Sequence, residues 1–227
     1  DDRIVVVSAK GEVAAIDAND GTIVWRVTPA GTLATLPFIP SPAVAGDLVV
    51  VADNTNQLFA LDASCGATSW RTTLSARPTT PPIVFGEDLV VGTYDGHLNR
   101  VDVKSGEITK RTKLAGIPYG TPAVSDGLLL VLASGETSRL LALDVASLEV
   151  RWQQETPKEW TTYRPLVSGS VVIVGNEEQD LCAFDRATGE RRWCRGVGQV
   201  PRGLGIAADG ILYVGSLSGV VQAFRIE

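Results

Sequence analysis

The segment that decides the fold is Ala60-Leu61-Asp62-Ala63-Ser64-Cys65-Gly66-Ala67-Thr68-Ser69-Trp70. Its skeleton, Ala-x-Asp-x-x-x-Gly-x-x-x-Trp, recurs at Ala15, Asp17, Gly21 and Trp25, and again at Ala183, Asp185, Gly189 and Trp193. A fourth copy, Ala142, Asp144 and Trp152, carries Leu148 at the glycine position. A fifth is degraded to Arg100, Asp102, Gly106 and Lys110, and a sixth begins at Ala223 with Arg225 in place of the Asp. The first positions run from 15 to 223 in five steps of about 42 residues. A period of this length is the mark of a stacked repeat architecture.

Two further elements keep the same phase. One is an apolar pair after proline: Pro42-Ala43-Val44, Pro82-Ile83-Val84, Pro122-Ala123-Val124 and Pro165-Leu166-Val167. The other is the apolar run that follows it, Leu48–Val51, Leu89–Val91, Leu128–Leu132, Val171–Val174 and Ile211–Val214. Each unit therefore reads as four short strands, a to d, split by Gly, Asp and Asn. In the second unit they fall near 41–46, 47–53, 57–63 and 67–74. No window holds a sustained helical period, so helix content is expected to be minimal. Strands b and c are apolar on both faces, as in Val13, Ala14, Ala15 and Ile16. A sheet wet on one side would alternate with polar residues instead. Small sheets buried on both sides and stacked face to face describe an all-β propeller of four-stranded antiparallel blades.

The repeat residues suit that role. Asp17, Asp62, Asp144 and Asp185 can accept hydrogen bonds from the amides of the next turn. The glycine supplies a position with φ > 0. Trp25, Trp70, Trp152 and Trp193 offer flat surfaces to an adjacent blade, and alanine leaves room for the ring. Leu148 predicts a different turn in the fourth unit. Lys110 predicts looser docking of the third blade on its neighbour.

Composition limits the function. The chain has 227 residues, 44% hydrophobic and 20% charged, with 23 Gly and 12 Pro. It is globular and rich in turns. Its net charge is −6 and no run of Lys or Arg exceeds two, which counts against a nucleic-acid backbone binder. The longest wholly apolar run, Leu128–Ala133, is far short of the ~20 residues of a spanning helix. There is no Met. Six units are recognisable, roughly 1–28, 38–74, 79–114, 119–154, 160–197 and 200–227, within one domain over 1–227. The first begins at a b strand and the last ends at a c strand. The chain is thus expected to be a propeller lacking its N-terminal portion, or a six-bladed one with two incomplete blades. Uncovered blade edges would then invite self-association.

The copies of the 60–70 segment closely resemble the tryptophan-docking repeat of quinoprotein-like (PQQ-like) β-propellers, over essentially the whole chain. That resemblance implies the fold, and three kinds of function. The first is a non-catalytic scaffold like the BamB-type lipoproteins of outer-membrane assembly, whose final c strand resembles Gly219-Val220-Val221-Gln222-Ala223-Phe224 here. The second is an extracytoplasmic PQQ-like sensor domain of a bacterial Ser/Thr kinase. The third is a fragment of a PQQ-dependent dehydrogenase. That group binds PQQ and calcium and has an adjacent Cys-Cys pair in its best-known members. Cys65, Cys182 and Cys194 are not adjacent, so neither PQQ nor calcium is expected. The resemblance favours a bacterial, extracytoplasmic protein that binds a protein or peptide and is not itself an enzyme.

Loops that join strand d to the next strand a share a face with the b-to-c loops, and such faces often bind partners. They carry Phe38, Tyr119, Trp160, Tyr163, Arg164 and Arg202, with Arg77 in another such loop. Aromatic and Arg residues are typical binding anchors, which makes the six a candidate recognition face. They could equally pack the loops or plug a channel mouth. His97, the only histidine, follows the Asp95-Gly96 turn and has no neighbouring zinc ligands, so it reads as an exposed hairpin residue. Glu177, Glu178 and Asp180 lack a calcium-loop pattern. No catalytic constellation or metal site emerges. Cys182 and Cys194 stand equally far from Thr188 at the centre of a hairpin, which would set them opposite each other. A cross-strand disulfide and two buried thiols both fit; the disulfide would imply an oxidising compartment.

Overall fold

A strand that is apolar at every position must be covered on both sides. The computed structural model shows how this is achieved, and describes residues 2–8, 11–29, 41–156, 160, 164–206 and 210–225. None of these residues is helical. They form six antiparallel sheets in chain order. The first has β1 (Arg3–Val7), β2 (Val13–Asp17) and β3 (Ile23–Val27). The second has β4 (Ala43–Ala45), β5 (Leu48–Ala52), β6 (Gln57–Asp62) and β7 (Thr68–Thr73). The third has β8 (Ile83–Phe85), β9 (Asp88–Gly92), β10 (His97–Asp102) and β11 (Ile108–Lys113). The fourth has β12 (Ile117–Ser125), β13 (Leu128–Ser134), β14 (Ser138–Asp144) and β15 (Val150–Thr156). The fifth has β16 (Leu166–Ser168), β17 (Val171–Gly175), β18 (Asp180–Asp185) and β19 (Arg191–Gly196). The sixth has β20 (Pro201–Ile206), β21 (Ile211–Ser216) and β22 (Val221–Arg225). These are the blades of a propeller. They fall into two compact units, Asp1–Lys113 and Leu114–Glu227, with three sheets in each.

Successive residues of a strand face opposite sides of its sheet. In the second sheet, Val49, Val51, Phe59 and Leu61 pack against Val13, Ala15 and Trp25 of the first. The intervening Val50, Ala52, Leu58 and Ala60 pack against Leu89, Val91 and Val101 of the third. The other unit repeats this. Leu130, Leu132 and Leu140 of the fourth sheet meet Val172, Val174 and Phe184 of the fifth. Ile173, Leu181 and Ala183 turn the other way, onto Leu212 and Val214 of the sixth. The inner strands of the second and fifth sheets thus belong to two interfaces at once.

The motif locks these interfaces. In every c–d pair the register shifts by one residue just after the first motif position, a β-bulge. The bulge sets Ala15 opposite Trp25, Ala60 opposite Trp70, Ala142 opposite Trp152 and Ala183 opposite Trp193. The small residue leaves space for the indole, which reaches over to the following sheet. Trp25 Nε1 donates to the Ala63 carbonyl at 2.8 Å, Trp70 to Val103 at 2.8 Å and Trp152 to Arg186 at 2.9 Å. In each case the acceptor is the residue just after the next motif Asp. The N–H of that same residue is bonded within its own sheet, from Ala63 to Asp47, Val103 to Glu87 and Arg186 to Ser170.

The motif Asp holds the acceptor's turn in shape. Oδ1 of Asp62 accepts from the Ser64 and Cys65 amides, that of Asp102 from Ser105, and that of Asp185 from Ala187 and Thr188. Asp17 accepts from the Asn19 amide. The turn closes with the motif glycine N–H on the Asp carbonyl, as for Gly66 on Asp62 at 2.7 Å. Glycine is required there twice over. Gly66, Gly106 and Gly189 have φ of 76°, 74° and 76°, and a Cβ on them would lie 2.7, 2.6 and 2.7 Å from the ring of Trp25, Trp70 and Trp152.

Leu148 corrects one expectation. Its turn is the same as the others: φ is 52°, and its N–H meets the Asp144 carbonyl at 2.8 Å. Asp144 Oδ1 again accepts from the Ala146 and Ser147 amides. Holding a leucine in this conformation costs about 1–2 kcal/mol, and burial of its side chain offsets a cost of that size. Leu148 is fully buried. The repeat before it carries Lys110, which is exposed, so the sequence places no indole ahead of this turn.

Two variants separate the two demands on glycine. Gly127 has φ 75°, but a methyl group on its Cα would meet nothing within 4 Å. Gly127→Ala should cost only the conformational penalty, about 1–2 kcal/mol. Gly106→Ala should cost about 3 kcal/mol, because it also pushes into the Trp70 ring. Equal losses in urea unfolding would show that the ring does not rest on the turn.

The Asp turns also tie stability to pH in the acid range. The Arg151 guanidinium, followed by the Ser147 amide, holds Asp144 at about 2. Arg192, followed by the Thr188 amide, holds Asp185 at about 2. Unfolded carboxylates titrate near ~4. A depressed folded value means that this stabilisation is complete above about pH 4 and is lost as pH falls toward 2. The double variant Asp144→Asn/Asp185→Asn should be less stable at pH 7 and should lose less between pH 4 and 2. Urea midpoints measured across that range check this; parallel curves would count against it.

Candidate functional site

The loops segregate by strand order. On one side, the a–b and c–d turns are joined by the bonds described above. On the other, the d–a loops are joined to the b–c loops: Leu74 N–H to Asn56 O at 2.7 Å, Tyr94 to Arg77 at 2.9 Å, Val197 to Gln179 at 2.8 Å and Leu217 to Val200 at 3.1 Å. This second side is where the sequence placed its candidate recognition residues.

Four of the six are among the described residues. Phe38 and Tyr163 lie outside the described residues. Trp160 is only 5% exposed, its ring edge-on to Phe184 with centroids 5.9 Å apart. It pairs as a bridge with Asn176, and the Tyr119 hydroxyl donates to its carbonyl at 2.9 Å. Trp160 and Tyr119 belong to the packing between the fourth and fifth sheets. This is the loop-packing role, and Trp160 is not a surface anchor. Arg164 is exposed and Arg202 half-buried.

The residues that do converge are on the third sheet's loops. The Asp95 carboxylate accepts from Ser75 Oγ at 2.7 Å, Thr93 Oγ1 at 2.6 Å and Arg111 at 3.1 Å. His97 Nδ1 stands 3.2 Å away from it, and the Lys113 ammonium donates to the Asp95 backbone carbonyl. Arg111 also donates to Ser75 Oγ at 2.7 Å. Burial alone would raise the Asp95 carboxyl, but Thr93, Ser75 and His97 hold it well below the usual carboxylate range. Beside this knot, the Arg77 guanidinium lies 4.4 Å from the centroid of the Tyr94 ring. His97 is therefore half-buried against Asp95, not the exposed hairpin residue the sequence suggested. The signal for this cluster was present but scattered. Ser75 and Arg77 are in a d–a loop, Tyr94 and Asp95 in a b–c loop, and Arg111 and Lys113 on strand d.

Among the described residues no three His, Cys, Asp or Glu side chains could hold a metal ion. Cys182 and Cys194 are directly opposite in the β18–β19 register and are bonded; Cys65 is a free, exposed thiol. A cleft of about 300 Å³ lies between β19 and the sixth sheet, with Trp193, Leu212 and Phe224 in its lining beside Arg195 and Arg225.

Blades with an indole seated on the next glycine turn define a PQQ-like β-propeller. The particular family follows from comparison. The family model described as outer membrane protein assembly factor BamB matches residues 9–227, and the chain belongs to that family. Its relatives named outer membrane protein assembly factor BamB include one from Vibrio cholerae, 35% identical over 141 residues (60% of this chain, 34% of the relative). Another, from Shewanella oneidensis, is 24% identical over 200 residues (83% and 50%). A third, from Salmonella typhimurium, is 29% identical over 136 residues (59% and 33%). The chain thus spans a third to a half of the length of these curated relatives. The crystal structure of BamB from Moraxella catarrhalis superposes with a TM-score of 0.72 at 23% identity, covering 99% of this chain and 73% of that one. A europium-containing methanol dehydrogenase superposes with a TM-score of 0.73 at 13% identity, covering 100% and 53%. Both superpositions speak to the fold alone.

The cysteine pairing gives a direct test. The unfolded, unreduced chain should show one thiol to Ellman's reagent, from Cys65, and three after reduction. Reduction should lower stability by about 2–3 kcal/mol. Three thiols before reduction would show that the bond does not form.

Proposed function

We propose that this chain is part of a non-catalytic scaffold that binds other proteins outside the bacterial cytoplasm and takes part in outer-membrane protein assembly. The observation that carries this reading is the family match over residues 9–227. It rests on an interaction role because the polar groups that the repeat organises are consumed structurally. The motif Asp side chains cap turns and the tryptophan N–H groups dock blades. What remains for partners is the side bearing the d–a and b–c loops, built on rigid sheets. The Cys182–Cys194 bond suits an oxidising compartment. The reading includes no PQQ and no calcium, since the cysteines that could form the adjacent pair of the dehydrogenases are instead twelve residues apart and joined across two strands.

The kinase sensor and the dehydrogenase fragment draw no comparable support from the family match. Deleting the encoding gene should lower outer-membrane β-barrel proteins relative to cytoplasmic proteins in the host, and complementation should restore them. Unchanged levels in quantitative proteomics of outer-membrane fractions would overturn the proposal.

A further inference from the structure

We propose that the Arg77–Tyr94 platform on the third sheet's loops is a docking site for an acidic, aromatic-containing segment of a partner protein. This rests on the scaffold reading and specifies the chemistry of what is bound. Tyr94 is 52% exposed although it sits in a tightly bonded loop. The guanidinium of Arg77 lies close enough over its ring, at 4.4 Å, for a cation–π contact. Arg77 is exposed, and among the described residues it has no carboxylate partner. Several other arginines on this chain do have one: Arg100 pairs with Asp88, Arg139 with Glu155, Arg151 with Asp144 and Arg192 with Asp185.

The platform is pre-organised. The Tyr94 N–H is bonded to the Arg77 carbonyl at 2.9 Å, the Thr79 N–H to Gly92 at 2.8 Å, and Pro78 forms a bridge with Thr93. Little freedom is left to lose on binding, which is what raises affinity for a given contact area. The one carboxylate in the cluster, Asp95, is already taken by Ser75, Thr93 and Arg111. Arg77, Arg111 and Lys113 therefore outnumber it, and the site is locally cationic on a chain of net charge −6. A planar guanidinium beside an exposed aromatic ring selects a carboxylate next to an apolar or aromatic group. Arg and Tyr are also the residue types that dominate binding hot spots. Three cations on an acidic chain are too few for the phosphate contacts that hold a nucleic-acid backbone.

The test is fluorescence anisotropy with a labelled ten-residue peptide of Asp, Glu and Phe. A version with Lys in place of the acidic residues and a ten-nucleotide single-stranded DNA are the alternative probes. The acidic peptide should bind, and more weakly as salt is raised. Arg77→Glu and Tyr94→Ala should each weaken it at least about tenfold. Tyr94→Phe, which keeps the ring, should bind as the unaltered protein does. Lys110→Glu makes the same charge change at an exposed site on β11 and should leave binding within about twofold. Thermal midpoints close to that of the unaltered protein establish that the variants fold, and Arg77→Gln provides a milder change at the same position. The site is overturned if the Lys peptide or the DNA binds as well as the acidic peptide. It is also overturned if the acidic peptide does not bind, or if Lys110→Glu weakens it as much as Arg77→Glu. Outer-membrane protein levels in the host are read separately. Absent peptide binding with normal levels would remove this site and leave the scaffold standing.

Discussion

Everything in this structure hangs on one contact: an indole lying on a glycine turn and donating its N–H to the next peptide along. The contact unites three demands on the sequence. The ring needs a small residue across the strand pair, which alanine supplies. The turn beneath the ring needs both φ > 0 and no Cβ, which only glycine meets. The carbonyl must be held still, which the Asp-capped turn ensures. Each of these residues would be ordinary alone. Together they orient one sheet on another. The aliphatic burial on either side, which supplies most of the cohesion, then has a single arrangement to settle into.

How far this was legible from residue letters depends on whether a feature is local. The Ala–Asp–Gly–Trp skeleton is contained within eleven residues, so strand order, the all-strand character of the described residues and the cross-strand placement of Cys182 and Cys194 could be read by counting. Leu148 could not. A missing glycine announces a lost conformational freedom. It does not announce that Asp144 still caps the turn and that an aliphatic side chain is buried there. Trp160 misled for a related reason. An aromatic ring in a polar stretch looks like a surface anchor until Trp160 is seen to pair with Asn176 and to bury its ring against Phe184. The Arg77–Tyr94 stack was hidden because its members are on different loops. Only the backbone bonds between d–a and b–c loops bring them together.

The two sides of the blades have therefore been put to different uses. Turns on the a–b and c–d side are given over to docking, and their sequence is constrained by it. Loops on the other side are tied down by backbone bonds, which any side chain tolerates. A cationic, aromatic surface such as that around Asp95 is therefore built without touching the repeat.

In the second, third and fifth sheets the residue that follows the motif Asp has its N–H engaged inside its own blade and its C=O engaged by the indole of the blade before. It is a relay with one hand in each neighbour. The two groups belong to the successive peptide units that flank one Cα, so the pair of bonds fixes that residue against both neighbours. A blade whose a–b turn has not yet closed presents a poorly aligned carbonyl, and the preceding indole then has little to hold. The docking contact is in this sense directional: each indole depends on the turns of the sheet that follows it, and not the reverse.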